Sequence, residues 1–219
     1  MITPLRKTSL HDLLHKPILF DANIFMVGIE DRFSDPNCSF ENMKKIYITP
    51  LFESFTDIYI HNEVYKELDE DAKNFINIYI GKNVTIVDEG ELYGKDAKYT
   101  TIFNNIATHE LVKYARGQSK NRGEIYSLAY AAYHNMNYFC SKEIMVDKVA
   151  EELEDLKDID IITFDIVVLS AYVYYVYKND NSNSKALKAI YKRYCADVIK
   201  RHQLPKTLGE YIIACQNYL

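Results

Sequence analysis

The stretch P17-I-L-F-D-A-N-I-F-M-V-G-I29 decides how the chain is read. Ile18, Leu19 and Phe20 form a short, wholly apolar run of the kind a parallel strand buried on both faces requires. Asp21 follows it at once, with the amide of Asn23 two residues on. A carboxylate at the carboxyl end of a buried strand sits where open α/β sheets place their sites.

Similar runs recur at Ile58 to Ile60, Val84 to Val87, Tyr138 to Cys140 and Ile159 to Ile162. Helical spacing separates them, for example Ile125, Leu128, Ala129 and Ala132, or Ile144, Val149 and Leu153. This alternation predicts an α/β fold with a mainly parallel sheet and helices on both faces. The polar run Asn179 to Ser184 breaks the pattern, so the reading divides the chain into a core over residues 1–178 and a C-terminal helical extension over 185–219. In that extension Leu187, Ile190, Tyr194 and Val198 trace one apolar stripe, expected to dock on the core or on a second subunit.

With 219 residues, 48% of them hydrophobic, the chain can bury a sizeable core. Its longest apolar run, Ile166 to Tyr177, is shorter than the roughly 20 residues needed to span a bilayer. The first 19 residues carry charges where a signal peptide would be apolar, and a cytoplasmic location is expected. Cys38, Cys140, Cys195 and Cys215 lack CxxC spacing, which favours reduced thiols over a zinc site or disulfide framework. His11 and His15 have i, i+4 spacing, but HDLLH lacks the Glu of HExxH, and a zinc site there is set aside. The 19 tyrosines fall largely at core spacing and are read as packing residues. The net charge of −5 is unlike that of a typical nucleic-acid binder, yet two basic islands stand out, Lys113 to Arg122 and Lys185 to His202.

Three further acids keep company with Asp21. Glu67 lies on a helix expected to open at Asn62, Glu124 opens the helix RGEIYSLAYAAY, and Glu143 follows the strand Tyr138 to Cys140 by two residues. Each has an ordinary explanation alone, as a helix-end or strand-end charge. Four such acids converging on one rim repel one another unless a cation joins them, and oxygen-only ligation favours Mg²⁺ or Mn²⁺.

In FDANIFM, VYKEL, RGEIYSLAYAAY and YFCSKEIMVDKVAEEL, followed by DIDIITFDIVVLSAY, the chain resembles the PIN-domain nucleases over most of residues 17–178. The resemblance implies a three-layer α/β/α sandwich, one or two divalent metals, and hydrolysis of RNA phosphodiester bonds by metal-activated water. It makes Asp21, Glu67, Glu124 and Glu143 the acidic quartet, with Asn23 and Ser141 as hydrogen-bonding supports. The family more usually has Asp at the position of Glu143; Asp147, one helical turn later, is a further metal-ligand candidate. Glu63 is read as a solvated residue. Lys113, Arg116, Lys120, Arg122 and Lys142, with Lys188, Lys192 and Arg193 of the extension, are the expected phosphate contacts. RNA is the expected partner, with an antitoxin, another protein or a second copy as further candidates, in keeping with a toxin-like or stress-responsive enzyme. A catalytically weak RNA- or protein-binding module and a DNA-directed nuclease are the alternatives.

Overall fold

Pro17 ends a helical turn and releases the chain into strand β1, Ile18–Phe20, whose three side chains are all fully buried. The structure, a computed structural model, describes residues 13–26, 39–113 and 121–194. The other strands are β2 (Ile58–His61), β3 (Val84–Val87), β4 (Tyr138–Cys140) and β5 (Asp160–Ile162), within a residue of the expected runs at each end. The helices, in chain order, are α1 (Ala22–Phe25), α2 (Phe40–Met43), α3 (Thr49–Ser54), α4 (Asn62–Glu67), α5 (Glu70–Asn77), α6 (Ala97–Thr108), α7 (Glu110–Lys113), α8 (Arg122–Tyr133), α9 (Ile144–Glu152), α10 (Phe164–Tyr177) and α11 (Asn181–Tyr194).

The described residues form two compact units that interleave along the sequence, one of residues 17–25, 58–113 and 121–162, the other of residues 13–16, 26, 39–57 and 163–194. The first holds the whole sheet. Its five strands are all parallel in the order β3-β2-β1-β4-β5, with Leu19 paired to Tyr59 on one side and to Phe139 on the other. The order reverses at β1, so the crevice at the carboxyl ends of β1 and β4 is the topological switch point. Helices α6 to α9 pack on one face of this sheet. Leu19 and Phe139 share a core with Tyr99, Ile102 and Ile106 of α6, Leu128 of α8 and Val149 of α9. Ile18, Phe20, Ile58 and Ile60, alternating to the opposite face, are also fully buried, as the layers of an α/β/α sandwich require.

Short polar side chains start the helices of this unit. Asp69 Oδ1 accepts from the Ala72 N–H at 2.8 Å, and Asp96 Oδ1 from the Tyr99 N–H at 2.9 Å, each satisfying a first-turn donor that has no partner within its helix. The α4 start differs from expectation in its cap. Asn62 is the first helical residue, and His61 caps the helix, its Nδ1 accepting from the Glu63 N–H at 3.1 Å.

In the second unit a π-helical stretch, Lys44–Ile48, joins α2 to α3. Tyr47 packs edge-on against Phe164 of α10 at 5.5 Å between ring centroids, and the Tyr175 hydroxyl donates to Glu53 at 2.9 Å. The helix α10 is apolar nearly all round and correspondingly buried. The helix α11 begins at Asn181, inside the polar run read as a break, because Asp180 Oδ1 accepts from the N–H groups of Ser182 and Asn183 at 3.0 Å each. Leu187, Ile190 and Tyr191 of α11 are buried; the Tyr194 side chain and Val198 lie outside the described residues. No helix among the described residues is long and apolar enough to cross a membrane.

Candidate functional site

Asp21 leaves the end of β1 pointing into the switch-point crevice and is 2% exposed. Its surroundings are built by the two strands that meet there. The Asp21 N–H donates to the Cys140 carbonyl at 2.9 Å, extending the β1–β4 ladder by one residue. Oδ1 accepts from the Ala22 N–H at 2.8 Å, while Oδ2 accepts from Asn23 Nδ2 at 2.5 Å and from the Ser141 hydroxyl at 3.1 Å. Asn23 also ties down the β4 loop, its Oδ1 accepting from the Lys142 N–H at 3.0 Å. Ser141 Oγ accepts from the Glu143 N–H at 3.1 Å. The carboxylate is thus fixed in orientation by donors on both oxygens, and the supports are Asn23 and Ser141, the two residues expected in that role.

The other acids gather on the same rim. Glu124 stands in the first turn of α8, and Glu67 is the last residue of α4, its Oε1 accepting from the Gly123 N–H at 3.2 Å. Glu143 is exposed and immediately precedes α9; Asp147 is exposed one turn into that helix. Electrostatics tie the quartet together. Burial, and next the negative charge of Glu124, push the Asp21 carboxyl well above the usual carboxylate range; Glu67 adds to this, against the opposing Ala22 and Ser141 hydrogen bonds. Glu124 is pushed up to about 7 by burial, with Glu67 and Glu143 raising it further. Glu67 is raised by burial and by Glu63, against the pull of the Gly123 N–H and of Arg122.

Among the described residues, no Lys, Arg or His lies within ion-pair distance of Asp21, Glu67, Glu124 or Glu143. An all-oxygen donor set whose charged form is disfavoured suits a hard divalent cation in its chemistry, because the cation would relieve the repulsion that raises these groups. The geometry is looser. Among the described residues, no three His, Cys, Asp or Glu side chains converge closely enough to hold a metal as they stand.

Next to this rim, at the ends of β2 and β3, Glu63 is neutralised, while Glu89 is raised by burial. Glu63 receives Arg122 Nε at 2.5 Å and Lys66 Nζ at 2.5 Å, and its side chain is 12% exposed, in contrast to the solvated residue expected from the sequence. Burial would raise it, but the Lys66 hydrogen bond and the Arg122 charge prevail and hold it below the usual range. Arg122 also lies over the Tyr126 ring, 5.4 Å from its centroid. As a phosphate contact it is therefore already engaged. His61 is buried and neutral, held down at about 4 by desolvation, with Nε2 3.2 Å from Glu89 Oε2 but not in hydrogen-bond alignment.

Of the expected basic contacts, Lys142 is exposed beside Glu143. Lys113 ends α7 without a described side chain, and Arg116 and Lys120 lie outside the described residues. In the second unit, Lys188, Lys192 and Arg193 are exposed on α11, with Lys188 Nζ 5.2 Å from the centre of the Tyr172 ring. Gly123, which sequence reasoning passed over, sits where α8 meets α4. Its only signal was a glycine in the first turn of a helix, beside an acid.

No protein-family model, no curated protein and no solved structure matches the chain.

Proposed function

We propose that this protein is a PIN-like, divalent-metal-dependent endoribonuclease with its site at the β1/β4 switch point. The observation that carries the reading is Asp21, a strand-end carboxylate raised by burial and, after that, by Glu124 and Glu67, with no cation partner among the described residues. Uncompensated carboxylates are costly to gather in a folded protein, and their like-charge repulsion destabilises it unless a cation belongs there. In this reading Asp21 and Glu124 hold Mg²⁺ or Mn²⁺, with Glu67, Glu143 and Asp147 at its periphery. Bound there, the metal supplies a water acidic enough to act as nucleophile and neutralises charge on the scissile phosphate. Asn23 and Ser141 keep the Asp21 carboxylate oriented, so that little reorganisation is needed when substrate arrives. Lys142 offers a phosphate contact at the mouth of the crevice. A toxin-like or stress-responsive role, an antitoxin partner and a cytoplasmic location are proposed on the PIN resemblance alone.

The test is cleavage of a labelled single-stranded RNA in Mg²⁺ or Mn²⁺, with a DNA of the same sequence beside it. Cleavage of the RNA that EDTA abolishes supports the reading, and preferential cleavage of the DNA turns it toward a DNA-directed nuclease. A second reading, an RNA- or protein-binding module of weak activity, is favoured by the exposed position of Glu143 and by acids that do not converge closely. EDTA-resistant RNA binding without cleavage would select it.

A further inference from the structure

The contact between α4 and α8 is closer than side chains allow. A Cβ built on Gly123 would lie 2.9 Å from Val64 Cγ2, and 3.2 and 3.3 Å from the Glu67 carboxylate oxygens. Val64 is fully buried and cannot swing aside. At the same place the Gly123 N–H, a first-turn donor without a partner within its own helix, donates to Glu67 Oε1. The preceding residue, Arg122, straps the same helix start to Glu63 on α4 at 2.5 Å. The following residue is Glu124.

We propose that Gly123 is a positioning residue: its missing side chain lets the first turn of α8 close on α4 and hold the Glu67 carboxylate beside Glu124. This rests on the reading in which Asp21 and Glu124 hold a cation with Glu67 at its periphery. Any larger residue meets Val64 first, at 2.9 Å, and must push the first turn of α8 off α4, drawing the position-123 N–H away from the Glu67 carboxylate. Residues that orient metal ligands typically contribute about 10–100-fold to metal affinity.

The test compares full-length wild type with Gly123→Ala, Gly123→Ala/Val64→Ala and Glu67→Ala, each checked for native circular dichroism. The first readout is metal-free amide hydrogen exchange at position 123. Protection is expected in the wild type, lost in Glu67→Ala and Gly123→Ala, and regained in the double variant, where removing the Val64 methyl groups admits the new one. The second is Mn²⁺ affinity from the electron paramagnetic resonance of the unbound ion, expected to fall about 10–100-fold in Gly123→Ala and to recover in the double variant. Should Gly123→Ala fail to fold, the double variant decides: wild-type Mn²⁺ affinity supports the proposal, and weak binding by a folded double variant overturns it. A position-123 amide that stays protected in Glu67→Ala, or unchanged Mn²⁺ affinity in folded Gly123→Ala, also overturns it. A wild type that binds no Mn²⁺ defeats the metal reading instead, and the exchange data then decide alone whether Gly123 holds Glu67.

Discussion

At two neighbouring rims of the same parallel sheet, Glu63 and Asp21 are treated in opposite ways. At the ends of β2 and β3, Glu63 has two cationic partners and lies below its ordinary pKa, and the buried His61 stays neutral. At the ends of β1 and β4, Asp21 and Glu124 have none among the described residues, and both are raised. On the first rim Glu63 has its counter-charges as folded, Lys66 from its own helix and Arg122 from α8. The second has no counter-charge among the described residues, and its acids are raised by burial first and by one another next. An acid with its counter-charge in the chain is explained by structure, whereas one without it is relieved by a retained proton or, in the function proposed above, by a cation.

The sharpest way to break this comparison is to neutralise one acid on each rim. Asp21→Asn keeps the shape and the Ala22 contact but removes a charge, so RNA cleavage should fall by about a hundredfold or more, beyond the 10–100-fold usual for groups that merely orient a ligand. Glu63→Gln should leave most of the activity. Equal losses in the two variants would erase the distinction between the rims.

Acidity separates them next. Glu124 has a folded pKa above its unfolded value, so the native state binds the extra proton, and the metal-free protein loses stability as pH rises from the ordinary glutamate range through about 7. Asp21 acts in the same direction. His61 opposes them: its folded pKa of about 4 lies below the ordinary value, and stability is lost as pH falls from about 6.5 toward 4. The two trends offset each other in the wild type, so the test is a difference. Chemical denaturation of metal-free Glu124→Gln between pH 5 and 8 should show stability rising more steeply with pH than in wild type. Parallel curves would mean that Glu124 is not raised.

Much of the fold is legible in the sequence because strands covered on both faces leave nearly unbroken apolar runs. Ile18–Phe20, Val84–Val87 and Tyr138–Cys140 coincide with the expected strands. The acids at their ends are legible too, since a charge directly after such a run must emerge at the carboxyl edge. What pairs with them is not. Arg122 and Glu63 are 59 positions apart, and only the fold shows that one neutralises the other. Gly123 reads as a weak helix residue until the close approach of Val64 is known. The polar run before α11 suggests a break, yet Asp180 makes it a helix start. Interleaving of the two units hides a further feature from any reading along the chain, because the described residues 39–57 belong to the other unit before β2 returns to the sheet-bearing one.

Smaller effects sharpen the comparison. Arg122→Gln removes an ion pair whose arginine is 58% exposed, and such pairs contribute about 0–1 kcal/mol, so the melting temperature should move little. A loss several times larger would show that the α4–α8 contact depends on charge rather than on the fit at Gly123. On α11, replacing Lys188, Lys192 and Arg193 with Gln should leave folding intact. If this face carries RNA, the slope of log K against log salt falls by about 0.7 per lost single-strand phosphate contact. An unchanged slope confines RNA contacts to other surfaces.

The central claim is that the β1/β4 rim is completed by a divalent cation, and thermal unfolding with and without Mn²⁺ tests it most directly. At a hundredfold excess over Kd, one site adds about 2.7 kcal/mol. Wild type and Glu63→Gln should both gain this stabilisation, while Asp21→Asn should gain little of it and should be at least as stable as wild type without metal. No stabilisation of the wild type, or an equal gain in Asp21→Asn, would contradict the account.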